Sequence, residues 1–262
     1  TADVTIGLTS SNTAEGTVSP SSVTFTSANW NTPQTVTVAG VDDFLVDGAI
    51  AYTIVTAAAT SSDLNYSGLN ASDVSVTNTD NDAAGITVTP TSGLTTTEAG
   101  GTATFTIVLT SQPTANVTIG VSSSNTAEGT VSPSSLTFTT ANWNTPQTVT
   151  VTGVDDTLDD GDIAYSIVTA AAASADGNYN TLNPSDVSVT NTDNDASGFT
   201  VSSISGNTTE AGGTATFTVV LNAQPTADVT VGVSSSNAAE GTVSPSSLTF
   251  TSANWNTPQT VT

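Results

Sequence analysis

Carboxylates are the side chains with which this sequence could do chemistry. Its 262 residues include 23 Asp and Glu but no Lys, Arg, His, Cys or Met, and the formal net charge is −23. There is therefore no His or Lys base, no Cys nucleophile and no Arg clamp, and a Ser-His-Asp or Cys-His site cannot be built. Two kinds of chemistry remain, the paired carboxylates of glycosidases and oxygen ligands for a hard cation.

The same charge restricts the partners of the chain. Nucleic-acid binding needs a basic surface, and anionic membranes attract basic segments, so both partners are disfavoured. No apolar run approaches the ~20 residues of a membrane span, and we expect no membrane insertion in this segment. Clustered carboxylates repel one another and favour a bound cation.

A long repeat organises the sequence. Copies of one phrase, ending in AEGTVSP, start at Thr1, Thr114 and Thr226, so they are spaced by 113 and 112 residues. This spacing suits a whole domain. We expect a first unit (1–84) that is the C-terminal part of a repeat, a complete middle unit (85–196) and a third unit (197–262) that is the N-terminal part of a repeat. The sequence starts and stops within repeats, as expected of a section cut from a longer polymer.

Alternating Thr and Val predict the strands of the middle unit. Alternation of β-branched residues with period two is typical of strands with one buried face. A first strand starts at Ile86, and further strands are predicted over 102–110, 115–122, 136–139, 147–153, 164–169 and 186–192. About seven strands in a unit of this length fit an all-β fold of tandem antiparallel, immunoglobulin-like β-sandwiches.

Strand direction predicts where the acidic residues meet. If each strand reverses the direction of the one before it, segments 95–101, 123–129, 154–162 and 191–195 lie at the same end of the unit. Most acidic residues of the unit are in these four segments. We name this end the acid pole. It is also where the chain leaves for the next unit.

The acidic motifs resemble those of the Calx-beta domain. They are TEAGGTATFTIVL, an Asp-Asp loop after a Thr/Val strand, and a closing Asp-Asn-Asp. Calx-beta domains are seven-stranded calcium-binding sandwiches of sodium–calcium exchangers, integrin β4 and large bacterial surface proteins. The resemblance implies Ca²⁺ held by an acid near the first strand, the Asp-Asp loop and the terminal aspartates. The implied ligands are Glu98, Asp155, Asp156, Asp160, Asp193 and Asp195 in the middle unit, Asp42, Asp43, Asp47, Asp80 and Asp82 in the first, and Glu210 in the third.

The sequence departs from the family pattern at several positions. Ser124 or Asn125 stands where many members carry an Asp, and Val46 and Ala49 of the first unit replace Asp159 and Asp162. These departures affect how many Ca²⁺ ions each unit binds and how tightly it binds them. Mg²⁺ fits less well than Ca²⁺ because it keeps its waters and uses fewer protein ligands.

A tryptophan recurs at the opposite end of each unit. The phrase ANWNTPQ contains Trp30, Trp143 and Trp255. Three interpretations are open: a platform for sugar stacking, a lid on the sandwich core, and a surface that abuts the preceding unit. The area that a Trp buries favours the lid.

The features together predict a structural protein rather than an enzyme. We expect a secreted or cell-surface filament, stalk or adhesin extender, with calcium stiffening its domain junctions. Its partners would be calcium, neighbouring repeats and further copies in fibres. The loop with Trp143 should face the preceding acid pole around Asp80 and Asp82. The alternatives are a glycan-binding array and the calcium-sensor pair of a transporter.

Overall fold

The structure, a computed structural model, describes residues 2–262 and consists of β-strands without helices over that range. It contains no helix, among these residues, that is long and apolar enough to cross a membrane. The strands of the first unit are β1 (Val4–Ser10), β2 (Gly16–Ser19), β3 (Ser22–Phe25), β4 (Thr37–Gly40), β5 (Ile50–Thr56) and β6 (Val74–Asn78). Those of the middle unit are β7 (Ile86–Thr89), β8 (Leu94–Thr97), β9 (Thr102–Leu109), β10 (Val117–Ser123), β11 (Gly129–Ser132), β12 (Ser135–Phe138), β13 (Gln147–Gly153), β14 (Ile163–Thr169), β15 (Ala173–Ser174) and β16 (Val187–Thr192). Those of the third are β17 (Phe199–Val201), β18 (Phe217–Leu221), β19 (Val229–Gly232), β20 (Ser247–Phe250) and β21 (Gln259–Val261).

The middle unit is a β-sandwich, as predicted. One sheet has the strand order β12-β10-β14-β16-β8, with β15 added on β10, and the other has the order β11-β13-β9-β7. Every pair is antiparallel except β16 with β8, which is parallel. Within each sheet, these pairings agree with the strand directions that were predicted by reversing each successive strand. The loops of the acid pole therefore lie at one end of the sandwich.

The middle unit has ten strands rather than the predicted seven: the first predicted segment divides into β7 and β8, and β11 and β15 lie outside the predicted segments. β7 pairs with β9 in one sheet, and β8, four residues later, pairs with β16 in the other. β11 and β12 are separated in the same way, around Pro133. Pro90 and Pro133 lack the N–H that a ladder requires, and Gly93 has a positive φ of 76°. Between β7 and β8 the alternation keeps its phase, from Val88 to Leu94, so it could not show the switch between sheets.

The core of the middle unit lies between its two sheets. On β13, Val149 and Val151 are fully buried, while Thr148, Thr150 and Thr152, which alternate with them, are exposed or partly exposed. Each such Val, Ile or Phe contributes about 1.5–3 kcal/mol by leaving water. The buried apolar residues are Phe105, Ile107, Leu109, Val117, Ile119, Val121, Leu136, Phe138, Trp143, Val149, Val151, Tyr165, Ile167, Ala172, Tyr179, Val187 and Val189.

The first and third units contain parts of the same sandwich. The first has a sheet of order β3-β1-β5-β6 and the pair β2-β4, and the third has the sheet β17-β18-β21 and the pair β19-β20. The predicted boundary at Thr1 lies outside the described residues. Both partial units leave apolar faces uncovered within the described chain, and Trp30 of the first unit is 70 % exposed.

Candidate metal centre and the joints between units

Three groups of three carboxylates form at the acid poles. In each group, one oxygen from every residue lies within 4.8 Å of the others. The groups are Glu98, Asp193 and Asp195; Glu128, Asp156 and Asp160; and, in the first unit, Glu15, Asp43 and Asp47. The strand order therefore brings together seven of the twelve residues that the sequence predicted as ligands.

The Glu98 group is the most enclosed of the three. Glu98 is only 2 % exposed, and its Oε2 accepts the N–H of Asn194 at 3.1 Å. The N–H of Asp195 donates to Asp193 Oδ1 at 2.7 Å, which folds the exit segment back on itself. Asp195 Oδ2 is buried and has no hydrogen-bond partner among residues 2–262. A buried carboxylate oxygen without a partner is costly, and a cation would satisfy it.

Glu128 is a member of the second group that the sequence analysis missed. It is 6 % exposed, and its Oε2 accepts the amide of Asn191 at 3.3 Å. Glu15 is held by Asn78 in the same way in the first unit. The signal was available, because Glu128 belongs to the repeated phrase and to segment 123–129, which strand direction already placed at the acid pole.

Burial and mutual repulsion perturb the acids of the pole. Burial raises the pKa of Glu98 above its usual 4.5, and the charges of Asp193, Asp156 and Asp160 raise it further. Burial likewise raises the pKa of Asp160, with added repulsion from Asp156 and Asp193. The pKa of Asp195 is raised by burial and then by Asp193 and its neighbours. Burial is the largest cause of each shift, and repulsion between the carboxylates of the pole adds to it.

Five predicted ligands belong to none of the three carboxylate groups, and four of them still lie at an acid pole: Asp155, Asp42, Asp80 and Asp82. Asp155 Oδ1 accepts the amide of Asn194 at 3.0 Å. Asp80 accepts the N–H groups of Asp82 and Gly48, and these bonds lower its pKa. Burial, and then the charge of Asp80, raises the pKa of Asp82. Asp42, Asp80 and Asp82 line one open cavity with the Glu15 group.

Glu210, the predicted ligand of the third unit, is exposed. It belongs to none of the carboxylate groups found among residues 2–262.

Trp143 belongs both to the core and to the contact with the preceding unit. It is 9 % exposed, and its carbonyl accepts the N–H of Leu109 at 3.1 Å. Its ring lies 5.5 Å from that of Phe44, centroid to centroid, with the planes tilted by 49°. Trp143 therefore fits two of the three interpretations at once, since it covers the sandwich core and also contacts the preceding unit. The geometry gives no support to a sugar platform in the middle unit, because core and neighbour cover the ring.

The first joint is made by the tip of the Asp-Asp loop. Phe44 O accepts the N–H of Gln112 at 2.7 Å, and Leu45 and Gln112 form a parallel bridge. Asn178 Nδ2 donates to Val46 O at 3.0 Å. The contacts to the Trp143 end thus come from 44–46, next to Asp43 and Asp47, rather than from Asp80 and Asp82.

The second joint repeats the first with different side chains. Thr157 O accepts the N–H of Gln224 at 2.7 Å, and the Thr157 hydroxyl donates to Gln224 Oε1 at 2.9 Å. The N–H and hydroxyl of Ser197 both donate to Asp159 Oδ2, at 2.7 and 2.6 Å. These bonds lower the pKa of Asp159, the hydroxyl bond most. In both joints, the loop that carries the aspartates of the acid pole also holds the next unit.

The comparisons with known proteins give weak structural likenesses only. No protein-family model matches the chain, and no curated protein matches it. Among solved structures it is similar to CBD12 from CALX1.2, with 13 % identity, a TM-score of 0.34, and coverage of 68 % of this chain and 70 % of that one. It is similar to domains 4 and 5 of the S-layer protein SbsC, with 18 % identity, a TM-score of 0.30, and coverage of 72 % and 70 %. For WR4, a C. elegans MSP family member, identity is 16 %, the TM-score 0.27, and coverage 41 % and 95 %. At these TM-scores the likenesses indicate no function for the chain.

Proposed function

We propose that this chain is a spacer section of an extracellular surface filament, stalk or adhesin, in which calcium at each acid pole stiffens the joint to the next unit. One observation carries the proposal. Segment 154–162 contributes Asp156 and Asp160 to a carboxylate group, and its tip residue Thr157 binds Gln224 of the following unit. A ligand that holds segment 154–162 in place therefore also holds the contact between Thr157 and Gln224.

The donor set fits a hard cation. All candidate ligands are carboxylate oxygens, and Ca²⁺ takes about 6–8 oxygens at a flexible site. Glu98, Asp193 and Asp195 would hold one ion, and the buried unpaired Oδ2 of Asp195 is the atom that most needs it. The Glu128 group would hold a second ion in the same loop system. Bound calcium supplies positive charge to a chain that has no Lys, Arg or His.

Charge couples the metal to the joint. Burial raises the pKa of Glu98 and Asp160, and repulsion from the neighbouring aspartates raises it further. Without a cation, this repulsion pushes the loops of the pole apart. This strain reaches Thr157, which lies between Asp156 and Asp160. Calcium removes the repulsion and holds the loop in the conformation that binds Gln224. The joint is then stiff with calcium and flexible without it.

The extracellular setting is part of the proposal and is supported by chemistry. Extracellular calcium modules bind at about 10⁻⁴–10⁻³ M, which suits sites that keep some exposed ligands, as Asp160 is here. A chain without Lys or Arg has no site for trypsin-like proteases. Near-identical tandem units extend reach, whereas a calcium sensor usually needs sites of different affinity. We propose no catalytic role for the carboxylates.

Calorimetry and small-angle scattering test the proposal on the 262-residue chain. Titration with calcium should release or absorb heat, and Asp193→Asn should lower the number of ions bound. Asp228→Asn is the matched control, because Asp228 is exposed and belongs to no carboxylate group. Chelation should increase the flexibility of the scattering particle. No calcium heat, or the same loss of ions in both variants, would show that the acid pole is not the site, and unchanged scattering on chelation would reject its mechanical role.

A further inference from the structure

The middle unit is connected to its neighbours through its first and last strands. The chain enters the unit at β7 and leaves it after β16. Contacts with the preceding unit lie at the Trp143 end of the sandwich, and contacts with the following unit lie at the acid pole. Tension along the array therefore pulls the two terminal segments of the unit toward opposite ends of the sandwich.

The last strand pairs in parallel with β8, the second strand of the unit. The register runs from Val189 with Leu94 to Thr192 with Thr97. One bond extends the ladder at the acid pole, where the N–H of Glu98 donates to the Thr192 carbonyl at 3.1 Å. Because the two strands are parallel and are pulled in opposite directions, tension slides one along the other. The evenly spaced bonds of a parallel ladder then bear the load together.

The first strand bears tension in the same way. β7 is an edge strand that pairs with β9 in a register that begins with Ile86 and Leu109. It runs toward the acid pole, since β9 returns from that pole after the antiparallel bridge between Thr97 and Gly101. Tension therefore draws β7 along its own axis against β9. Because β8 follows β7 in the chain, the pair of β8 and β16 is loaded fully only after β7 has detached.

Buried side chains add bonds across the pair of β8 and β16. The Thr96 hydroxyl donates to Asn191 Oδ1 at 2.9 Å, and the Thr192 hydroxyl donates to the Thr96 carbonyl at 3.1 Å. Thr96 and Asn191 are 0 and 1 % exposed. Water does not reach these atoms to replace a bond as the strands begin to separate, so burial makes the bonds harder to break.

We infer that the middle unit is a load-bearing module, in which the parallel pair of β8 and β16 is a shear clamp against unfolding by tension along the array. A ladder that is sheared loses its bonds together, whereas a ladder that is opened from one end loses them one at a time. Forced unfolding is governed by the unfolding rate, and bonds that must break before the transition state lower that rate. The clamp goes beyond the proposed stiffening of the joints, because it needs no calcium.

Single-molecule pulling on the 262-residue chain, with chelator present, tests the inference. The chain has no Cys, so two cysteine substitutions define the points of attachment. Ala83→Cys with Ala196→Cys loads the middle unit along the array. Ala99→Cys with Ala196→Cys instead pulls the ends of β8 and β16 apart at the acid pole. All three alanines are exposed and lie outside the strands, so the attachments leave the core intact.

The two pulling directions should give different forces. At one pulling speed, unfolding along the array should require at least about twice the force of the same-end direction, because several hydrogen bonds must break together rather than singly. The 113 residues from Ala83 to Ala196 (196 − 83) extend to at most about 370–410 Å, which identifies complete unfolding of the unit. Equal forces in the two directions, or a lower force along the array, overturn the inference.

Matched variants identify the clamp itself. Thr96→Val removes a bond between β8 and β16 and keeps the shape of the side chain. Thr169→Val is the control, because Thr169 is 1 % exposed and its hydroxyl donates to the Ser185 carbonyl at 3.1 Å, outside the clamp. Both variants should lower the melting temperature, since each leaves a buried acceptor without its donor.

Only the clamp variant should change the response to force. At a fixed force along the array, Thr96→Val should unfold about fivefold faster than the parent, as the loss of one net hydrogen bond predicts, whereas Thr169→Val should unfold at the parent rate. The same acceleration in both variants, or in neither, contradicts the shear clamp. The chelator keeps each of these outcomes independent of the proposed calcium role.

Discussion

Removing the hydroxyl of Tyr179 should destabilise the middle unit by about 2–4 kcal/mol. This hydroxyl accepts the N–H of Ser111 at 3.0 Å, bonds its Oγ at 2.8 Å and donates to its carbonyl at 2.6 Å. Both residues are fully buried. Tyr179→Phe leaves the N–H and carbonyl of Ser111 buried without partners, at about 1–3 kcal/mol for each unsatisfied group.

The first unit provides the control for this prediction. Tyr66 occupies the same repeat position but is 51 % exposed, so Tyr66→Phe should change stability by no more than about 0.5 kcal/mol. Differential scanning calorimetry of both variants measures the effect. At roughly 4 °C per kcal/mol for a unit of this size, the Tyr179→Phe transition should fall by about 10 °C. Equal shifts in the two variants would refute the assignment of the buried bonds.

Three further predictions concern the acid pole, the packing around a glycine and the exposure of two tryptophans. Burial raises the pKa of Glu98 above 4.5 in the folded chain, so near pH 5 the folded chain binds more protons than the unfolded chain does. The melting temperature of the chelated protein should therefore rise as the pH falls from 7 to about 5. A melting temperature that falls over this range contradicts the prediction. Gly153→Ala should cost about 1–3 kcal/mol in denaturant unfolding, since the new Cβ meets the Thr97 carbonyl, whereas Gly177→Ala meets nothing within 4 Å and should be neutral. Acrylamide should quench Trp30 much more than Trp143, and a Trp30→Phe chain that is quenched as strongly as the parent would contradict the exposures of 70 and 9 %.

The strands and the acid pole could be predicted because both depend on simple periodicity. Alternating Thr and Val identify one buried face per strand, and counting reversals then places Glu98 and Asp193 at the same end, 95 residues apart in sequence. The structure brings these two carboxylates into one group. Their role as calcium ligands remains a prediction.

The sheet switches and the joints could not be predicted from the same patterns. β8 continues the alternation of β7 but joins the opposite sheet, since the choice of partner depends on the whole sandwich. The first joint bonds the carbonyl of Phe44 and the second that of Thr157. A bond between backbone atoms does not require a particular residue type, so the sequence carries no signal for it. Glu128 lies outside the acidic motifs that carry the family resemblance, so the resemblance did not point to it.

The backbone bond at each joint has a consequence for how such an array can change. Phe44 and Thr157 differ in size and polarity, yet their carbonyls receive the N–H of Gln112 and Gln224 at the same 2.7 Å. The offset from one unit to the next is thus carried by backbone atoms, which every residue except proline can supply. Substitutions at positions 44 and 157 can change the strength of a joint while the backbone bond keeps the spacing between units constant. Gene duplication can then lengthen the array one unit at a time, and each new unit meets its neighbour in a geometry that already works.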